Sequence, residues 1–188
     1  MKKTYKGAGV ILKIKEGKRE YIVLVKRTLD APINPNTYSG FFGSAEKIDR
    51  NNPFYIAIRE FREEFSADIL SNKGKGFLAL YLHEVARWIE FIDYEGLKRI
   101  YYASFTIDYP YRLKNFCLND GETNNGNLLQ REISVFNSTD FKKWWLGEKK
   151  EIKATYSYQA GEKIKQATLK DKRQLSPTLL IAFNLLIK

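Results

Sequence analysis

Residues 59 to 64 read Arg-Glu-Phe-Arg-Glu-Glu and place three carboxylates, Glu60, Glu63 and Glu64, within five residues. A helix advances about 100° per residue, so positions three and four apart share a face. On a helix the three glutamates would point the same way. Like charges held that close repel unless a cation neutralises them. Carboxylate oxygens on one rigid face suit Mg²⁺ or Mn²⁺, which prefer oxygen ligands. The plainer reading is a solvated helix face balanced by Arg59 and Arg62, the ordinary fate of a charge run.

The elements that would hold such a face are legible around it. Asn52 is a good helix cap, and Pro53 suits the first helical position, where its missing N–H costs nothing. Phe54, Ile58, Phe61 and Phe65 then form one apolar stripe, with the glutamates off it. This predicts a helix from Pro53 to the region of Phe65 to Ala67. Upstream, Gly7 to Lys15 and Tyr21 to Arg27 read as a strand pair joined by a Glu16-Gly17-Lys18 turn. Ala31 to Ser39 reads as an irregular loop, and Phe41-Phe42-Gly43-Ser44 leads into a polar loop ending at Asn51-Asn52-Pro53. Downstream, Phe77 to Leu82, Arg87 to Asp93, Arg99 to Ile107 and Leu128 to Phe136 read as strands. Leu118 to Asn127 reads as an exposed polar loop. Asn137 or Ser138 can cap a short helix running through Trp144. Ser176-Pro177 starts a last helix with Leu179, Leu180, Phe183, Leu186 and Ile187 on its apolar face. This order predicts a mixed α/β sandwich rather than a regular βαβ array.

Composition bounds the rest. The chain has 188 residues, 44% apolar and 14% aromatic, enough for one domain with a real core and unlike a disordered chain. No apolar run approaches the roughly 18 residues of a membrane span. The basic start at Met1 to Lys6 lacks the apolar stretch of a signal peptide. Cys117 is the single cysteine and can form no internal disulfide. The expectation is a soluble, cytoplasmic protein with no membrane partner. The formal net charge of +10 draws anionic ligands, phosphorylated small molecules and nucleic acids alike. Residues 142–173 carry ten Lys/Arg against four Asp/Glu. They are expected to form a basic C-terminal elaboration of a single domain spanning 1–188.

Other residues have a functional reading beside a structural one. His83, the one histidine, can serve as a general base, but a structural role is the default. Cys117, between Phe116 and Leu118, reads as a small buried residue. Trp88, Trp144 and Trp145 read as core before they read as stacking platforms. Tyr38 and Phe41 lie near Gly43 and could stack a nucleobase, with aromatic core as the default.

The run Arg59-Glu60-Phe61-Arg62-Glu63-Glu64-Phe65-Ser66-Ala67 resembles the helical half of the box of the Nudix hydrolases, Arg-Glu-apolar-x-Glu-Glu-x-Gly-apolar. Phe41-Phe42-Gly43-Ser44 resembles the glycine turn that opens that box, and Lys26-Arg27 ends the strand before it. Val135 to Phe141 resembles the family's later strand-to-helix step. These pieces cover roughly residues 7–145. The chain also departs from the pattern. Ser44 replaces the second glycine, Ser66 replaces the terminal one, and the loop is one residue longer. Asp49, Arg50 and Asn51 stand where the loop glutamate belongs, with Glu46 or Asp49 as substitutes for it.

The resemblance implies a Nudix-type α/β/α sandwich and metal-dependent hydrolysis of a nucleoside diphosphate linked to another group. Its implied metal ligands are Glu60, Glu63, Glu64 and the carbonyl of Gly43, holding Mg²⁺ or Mn²⁺. Arg59 would pair with a box glutamate and orient it, with Glu63 in reach at i,i+4. The general base would be a helix glutamate or a later carboxylate, Glu122 ahead of Asp120 and Glu132. The substrate would be a phosphorylated small molecule: a nucleotide sugar, ADP-ribose, a dinucleoside polyphosphate or an oxidised nucleoside triphosphate. A homodimer is left open. Two other readings compete. One is a Nudix-fold module that senses a nucleotide without cleaving it. The other is nucleic-acid association through 142–173, which would be strongly salt-dependent and lacks a recognised motif.

Overall fold

The computed structural model describes residues 4–31, 34–64, 87–95, 98–109, 123–124, 127–128, 131–159 and 162–186. In chain order the strands are β1 (Tyr5–Glu16), β2 (Arg19–Lys26), β3 (Tyr38–Ser39), β4 (Phe41–Ser44), β5 (Arg87–Glu95), β6 (Lys98–Tyr109), β7 (Thr123–Asn124), β8 (Asn127–Leu128), β9 (Glu132–Asn137), β10 (Ile152–Lys153), β11 (Tyr156–Gln159), β12 (Glu162–Lys163) and β13 (Thr168–Leu169). The helices are α1 (Pro53–Glu64), α2 (Ser138–Trp145) and α3 (Pro177–Leu186).

One mixed sheet organises the molecule, in the order β12-β11-β9-β2-β1-β6-β5, with β3 added to β2 and β4 added to β1. β1 and β6 run parallel and the other pairs of this sheet are antiparallel. Successive side chains on a strand face opposite sides, so each central strand feeds two cores. Ala8, Val10, Leu12 and Ile14 of β1 join Val23 and Val25 of β2 and Ile133 and Val135 of β9 on one side. There they meet Ile56, Ala57 and Phe61 of α1. Ile11, Ile22, Leu24 and Phe136 point to the other side, against α2 and α3. That second core is aromatic. The rings of Phe141 and Phe183 lie 4.8 Å apart, and Trp144 and Trp145 are 4% and 6% exposed. The α/β/α sandwich with a mixed sheet is therefore the observed architecture, and the tryptophans of α2 are core, as their default reading had it.

Differences from the sequence expectations have physical reasons. Phe41 to Ser44, read as loop, is a strand, because its backbone pairs with Gly7 to Val10. Leu128 to Phe136, read as one strand, is instead the short β8 and, from Glu132, β9. The basic stretch contributes to the main sheet, since β11 pairs with β9 through Tyr156↔Val135 and Tyr158↔Ile133. The expected strand at Phe77 to Leu82 and the helix end beyond Glu64 lie outside the described residues. Among those residues no helix is long and apolar enough to cross a membrane.

Candidate functional site

The site begins with a loop that the sheet pins in place. Ala45 N–H donates to the Lys6 carbonyl at 2.8 Å, and Tyr5 N–H donates to Asn51 Oδ1 at 2.7 Å. Between these anchors Lys47–Asp49 forms one 3-10 turn, closed by Glu46 N–H donating to Asp49 Oδ2 at 2.8 Å. Arg50 and Asn51 adopt φ of 52° and 59°, which turns the chain toward the helix. Asn52 Oδ1 accepts from Phe54 N–H at 3.0 Å, the cap that the sequence predicts. α1 then runs over β4, where Phe41 and Phe61 pack edge to face at 5.0 Å.

This packing brings Glu60 onto Gly43. A Cβ on Gly43 would lie 1.8 Å from Glu60 Cδ and 1.9–2.1 Å from its carboxylate oxygens. Only a residue without a side chain lets helix and strand approach so closely.

Arg59 ties the cluster together. Its Nε and Nη2 donate to Asp49 Oδ1 and Oδ2 at 3.1 and 2.9 Å, a bidentate pair. Nη2 also donates to the Ser44 carbonyl at 2.7 Å. Nη1 donates to Glu60 Oε1 at 2.8 Å and to Glu63 Oε2 at 3.1 Å, with Glu46 Oε1 at 3.5 Å. Among the described residues four carboxylates thus surround one guanidinium. Asp49 is 2% exposed. Burial alone pushes its carboxyl up, but the Arg59 hydrogen bonds, the Glu46 N–H and the guanidinium charge outweigh burial and hold it below the usual range. Arg59 is raised in turn, first by its hydrogen bond to Asp49, against burial and with help from the charges of Glu60 and Asp49.

The expected set is only partly assembled. Gly43, Arg59, Glu60 and Glu63 come together, with Asp49 as the loop carboxylate that meets Arg59. Glu64 turns inward. Its Oε1 accepts from Arg131 Nη1 at 3.2 Å, and both side chains are about 6–7% exposed. Glu64 is thus engaged by Arg131 rather than by Arg59. That position lies on the flank of α1 that meets the sheet, where a carboxylate needs a buried cation. Arg131 carried no signal in the sequence, because nothing local links it to residue 64. Glu132 lies elsewhere, accepting from the Tyr38 hydroxyl at 2.5 Å and from Ser134 at 2.8 Å, with Lys26 at 3.7 Å. Burial, and then Glu132 itself, push the Tyr38 hydroxyl up. Glu122, Asp120, His83 and Cys117 lie outside the described residues.

Among the described residues no three Asp, Glu, His or Cys side chains are arranged as a ready metal cage. The donors nevertheless suit a hard divalent cation in kind, being carboxylates beside a backbone carbonyl. Glu60 and Glu63, with the Gly43 carbonyl, are the groups that could hold one.

A cavity of about 340 Å³ opens beside Gly43 and Ser44. Lys6 and Arg27 give it positive charge, and Ser39, Ser176 and Thr178 give it hydroxyls. Arg27 Nε is buried with no hydrogen-bond partner. The cavity was not visible in the sequence, because β1, Arg27 just beyond β2, β3, β4 and residues 176–178 meet there from separate stretches. Tyr38 and Phe41, the aromatic residues considered for stacking, are core at 3% and 0% exposure, and Phe42 is the aromatic residue lining the cavity.

No family model matches the chain, and no curated protein matches it in sequence. Solved structures are similar to it at low identity. A Nudix hydrolase from M. smegmatis, RenU, is 12% identical with a TM-score of 0.48, over 99% of this chain and 86% of that one. A MutT/nudix family protein from Enterococcus faecalis is 12% identical with a TM-score of 0.47, over 100% of this chain and 63% of that one. A NUDIX hydrolase from Alicyclobacillus acidocaldarius is 14% identical with a TM-score of 0.45, over 79% of this chain and 86% of that one.

Proposed function

We propose that this chain is a Nudix-type pyrophosphohydrolase that cleaves the diphosphate linkage of a nucleoside diphosphate derivative. The observation that carries the reading is the juxtaposition at Gly43. On one side of that residue lies a carboxylate cluster organised by Arg59. On the other lies a cavity bearing Lys6 and Arg27. A diphosphate needs both, cationic groups for its oxygens and an acidic seat for the metal that accompanies it.

A divalent ion held by Glu60, Glu63 and the Gly43 carbonyl would neutralise phosphate charge and lower the pKa of a bound water. The chain's own residues do the rest. Arg59 fixes Glu60 and Glu63 and is itself fixed by buried Asp49, so the carboxylates are positioned before substrate arrives. Arg27 and Lys6, which line the cavity, would bind and orient phosphate oxygens. Glu63, at 54% exposure the most open of the helix glutamates, can accept a proton from an incoming water.

The test is turnover of a panel of nucleotide sugars, ADP-ribose, dinucleoside polyphosphates and nucleoside triphosphates with Mg²⁺ or Mn²⁺. The expected result is cleavage of at least one. It should fall about 100-fold or more in Glu60→Gln and Glu63→Gln, the scale expected when a metal or acid–base group is lost. Unchanged turnover in both variants would remove the assignment. A second reading has its own observation. Arg59 already engages four carboxylates, and Asp49 replaces the loop glutamate. That would suit a module that binds a nucleotide without cleaving it. A nucleotide that raises Tm without any turnover across the panel would favour this module.

A further inference from the structure

We propose that Phe42 is the specificity-determining residue of the cavity beside Gly43, where it stacks against the nucleobase of the ligand. The inference rests on the reading above that the ligand is a nucleotide, and adds which part of it the cavity discriminates.

The geometry around Phe42 sets it apart from its neighbour Phe41. Its cross-strand partner in the sheet is Gly9. A Cβ on Gly9 would lie 2.4 Å from Phe42 Cγ and Cδ1, and one on Gly40 would lie 2.6 Å from Phe42 Cε2. The ring thus fills space that two glycines leave empty and packs in addition against the aromatic core on that side of the sheet. It is half-buried and lines the cavity, whereas Phe41 beside it is fully buried against α1. A ring seated this way is fixed in place and keeps apolar surface toward the opening. That surface suits another planar ring, which gains from offset or edge contact.

The rest of the cavity has the complementary chemistry. Arg27 lines the cavity and brings a guanidinium that suits an anion on the ligand. Lys6 supplies a second positive charge, while Ser39, Ser44 and Thr178 supply hydroxyls suited to a sugar. A volume near 340 Å³ falls in the range of about 300–1,000 Å³ typical of small-molecule sites. Gly43, shared with the carboxylate cluster, places the phosphate end of the ligand. The base then extends toward Phe42.

The experiment is calorimetric binding of AMP, GMP, CMP and UMP, with ribose 5-phosphate as the ligand lacking a base. The proteins are the full chain, Phe42→Leu and Phe42→Tyr. Leucine keeps apolar contact with Gly9 and Gly40, and Tm of each variant monitors the fold. At least one nucleotide should bind the natural chain and lose about tenfold or more in affinity in Phe42→Leu, the scale of a lost base–aromatic stack. Ribose 5-phosphate should bind both equally, and Phe42→Tyr should restore the nucleotide. Equal losses for nucleotide and ribose 5-phosphate, no loss for either, or no nucleotide binding to the natural chain would each overturn the inference. Phe42-dependent binding without turnover of any diphosphate would sink the hydrolase reading and leave this inference standing. Turnover with Phe42-independent binding would do the reverse.

Discussion

Gly43 and Asp49 show how much of the site rests on single residues. Gly43→Ala places a methyl group where the Glu60 carboxylate lies. Glu60 must then leave Arg59 or α1 must lift from β4. The expected cost is about 1–3 kcal/mol of stability, as for other overpacked sites. Turnover should fall by about 100-fold, since an ångström of displacement suffices for that. Thermal melting and kcat, measured on the same preparation, check both. Asp49 makes a prediction in pH. Its folded pKa is depressed, so the stability it contributes is fully present above the free aspartate value of about 3.9 and is lost as pH falls through the lower folded value. The Tm gap between the natural chain and Asp49→Asn should be constant from pH 7 to about 5 and shrink below about 4. A gap that grows on acidification would contradict the assignment. At this scale the sequence was informative where chemistry is local. Arg59 to Glu63 is an i,i+4 pair and was readable; Arg59 to Asp49 depends on two residues with positive φ and was not.

At the scale of elements, α1 is held at its start and again at Glu64. Asn52 caps its start, and the Glu64–Arg131 pair ties the helix to the residue before β9. Arg131→Leu leaves a buried carboxylate without that cation and should cost about 3–5 kcal/mol, while Arg131→Leu with Glu64→Leu should recover most of it. Denaturant midpoints of the two single variants and the double variant measure the coupling. A double variant no better than the single one would show that the pair does not act as a unit. The long strands were legible because β1, β2, β5 and β6 each carry many apolar positions. β3, β10, β12 and β13 are two residues long and carry no period at all. Phe41 to Ser44 misled for a related reason, since Gly43 and Ser44 favour turns and only pairing with β1 makes them a strand.

On the scale of the whole molecule, the sheet has a helix layer on each side, and the two layers serve different ends. α1 carries the carboxylates. α3 seals the aromatic core with Leu179, Ala182 and Phe183 and lends Thr178 to the cavity, with Ser176 just before it. A chain ended after Leu175 uncovers Phe136, Phe141 and Trp145 and forfeits about 5 kcal/mol of burial, at roughly 1.5–3 kcal/mol for each large side chain. It should emerge insoluble or molten, which near-UV circular dichroism and dye binding would show. A well-folded product would mean that α3 is dispensable to the core. The +10 charge was legible as an attraction for anions but not as a location. The cavity draws Lys6 from β1, Arg27 from just beyond β2 and its hydroxyls from β3 and the start of α3. Composition cannot show that they converge.

The clamp at Ser176 also carries a consequence in time. Its N–H donates to the Tyr38 carbonyl at 2.8 Å and its hydroxyl to Ser39 at 3.3 Å, so the first residue before α3 closes directly on β3. A growing chain is made from its N-terminus and can begin folding as it emerges. The carboxylate cluster, built from residues 44–63, can form early in synthesis. The cavity beside it cannot be walled until residues 176–178 have been made and docked. During translation this protein would carry its acidic centre well before the cavity beside it was complete.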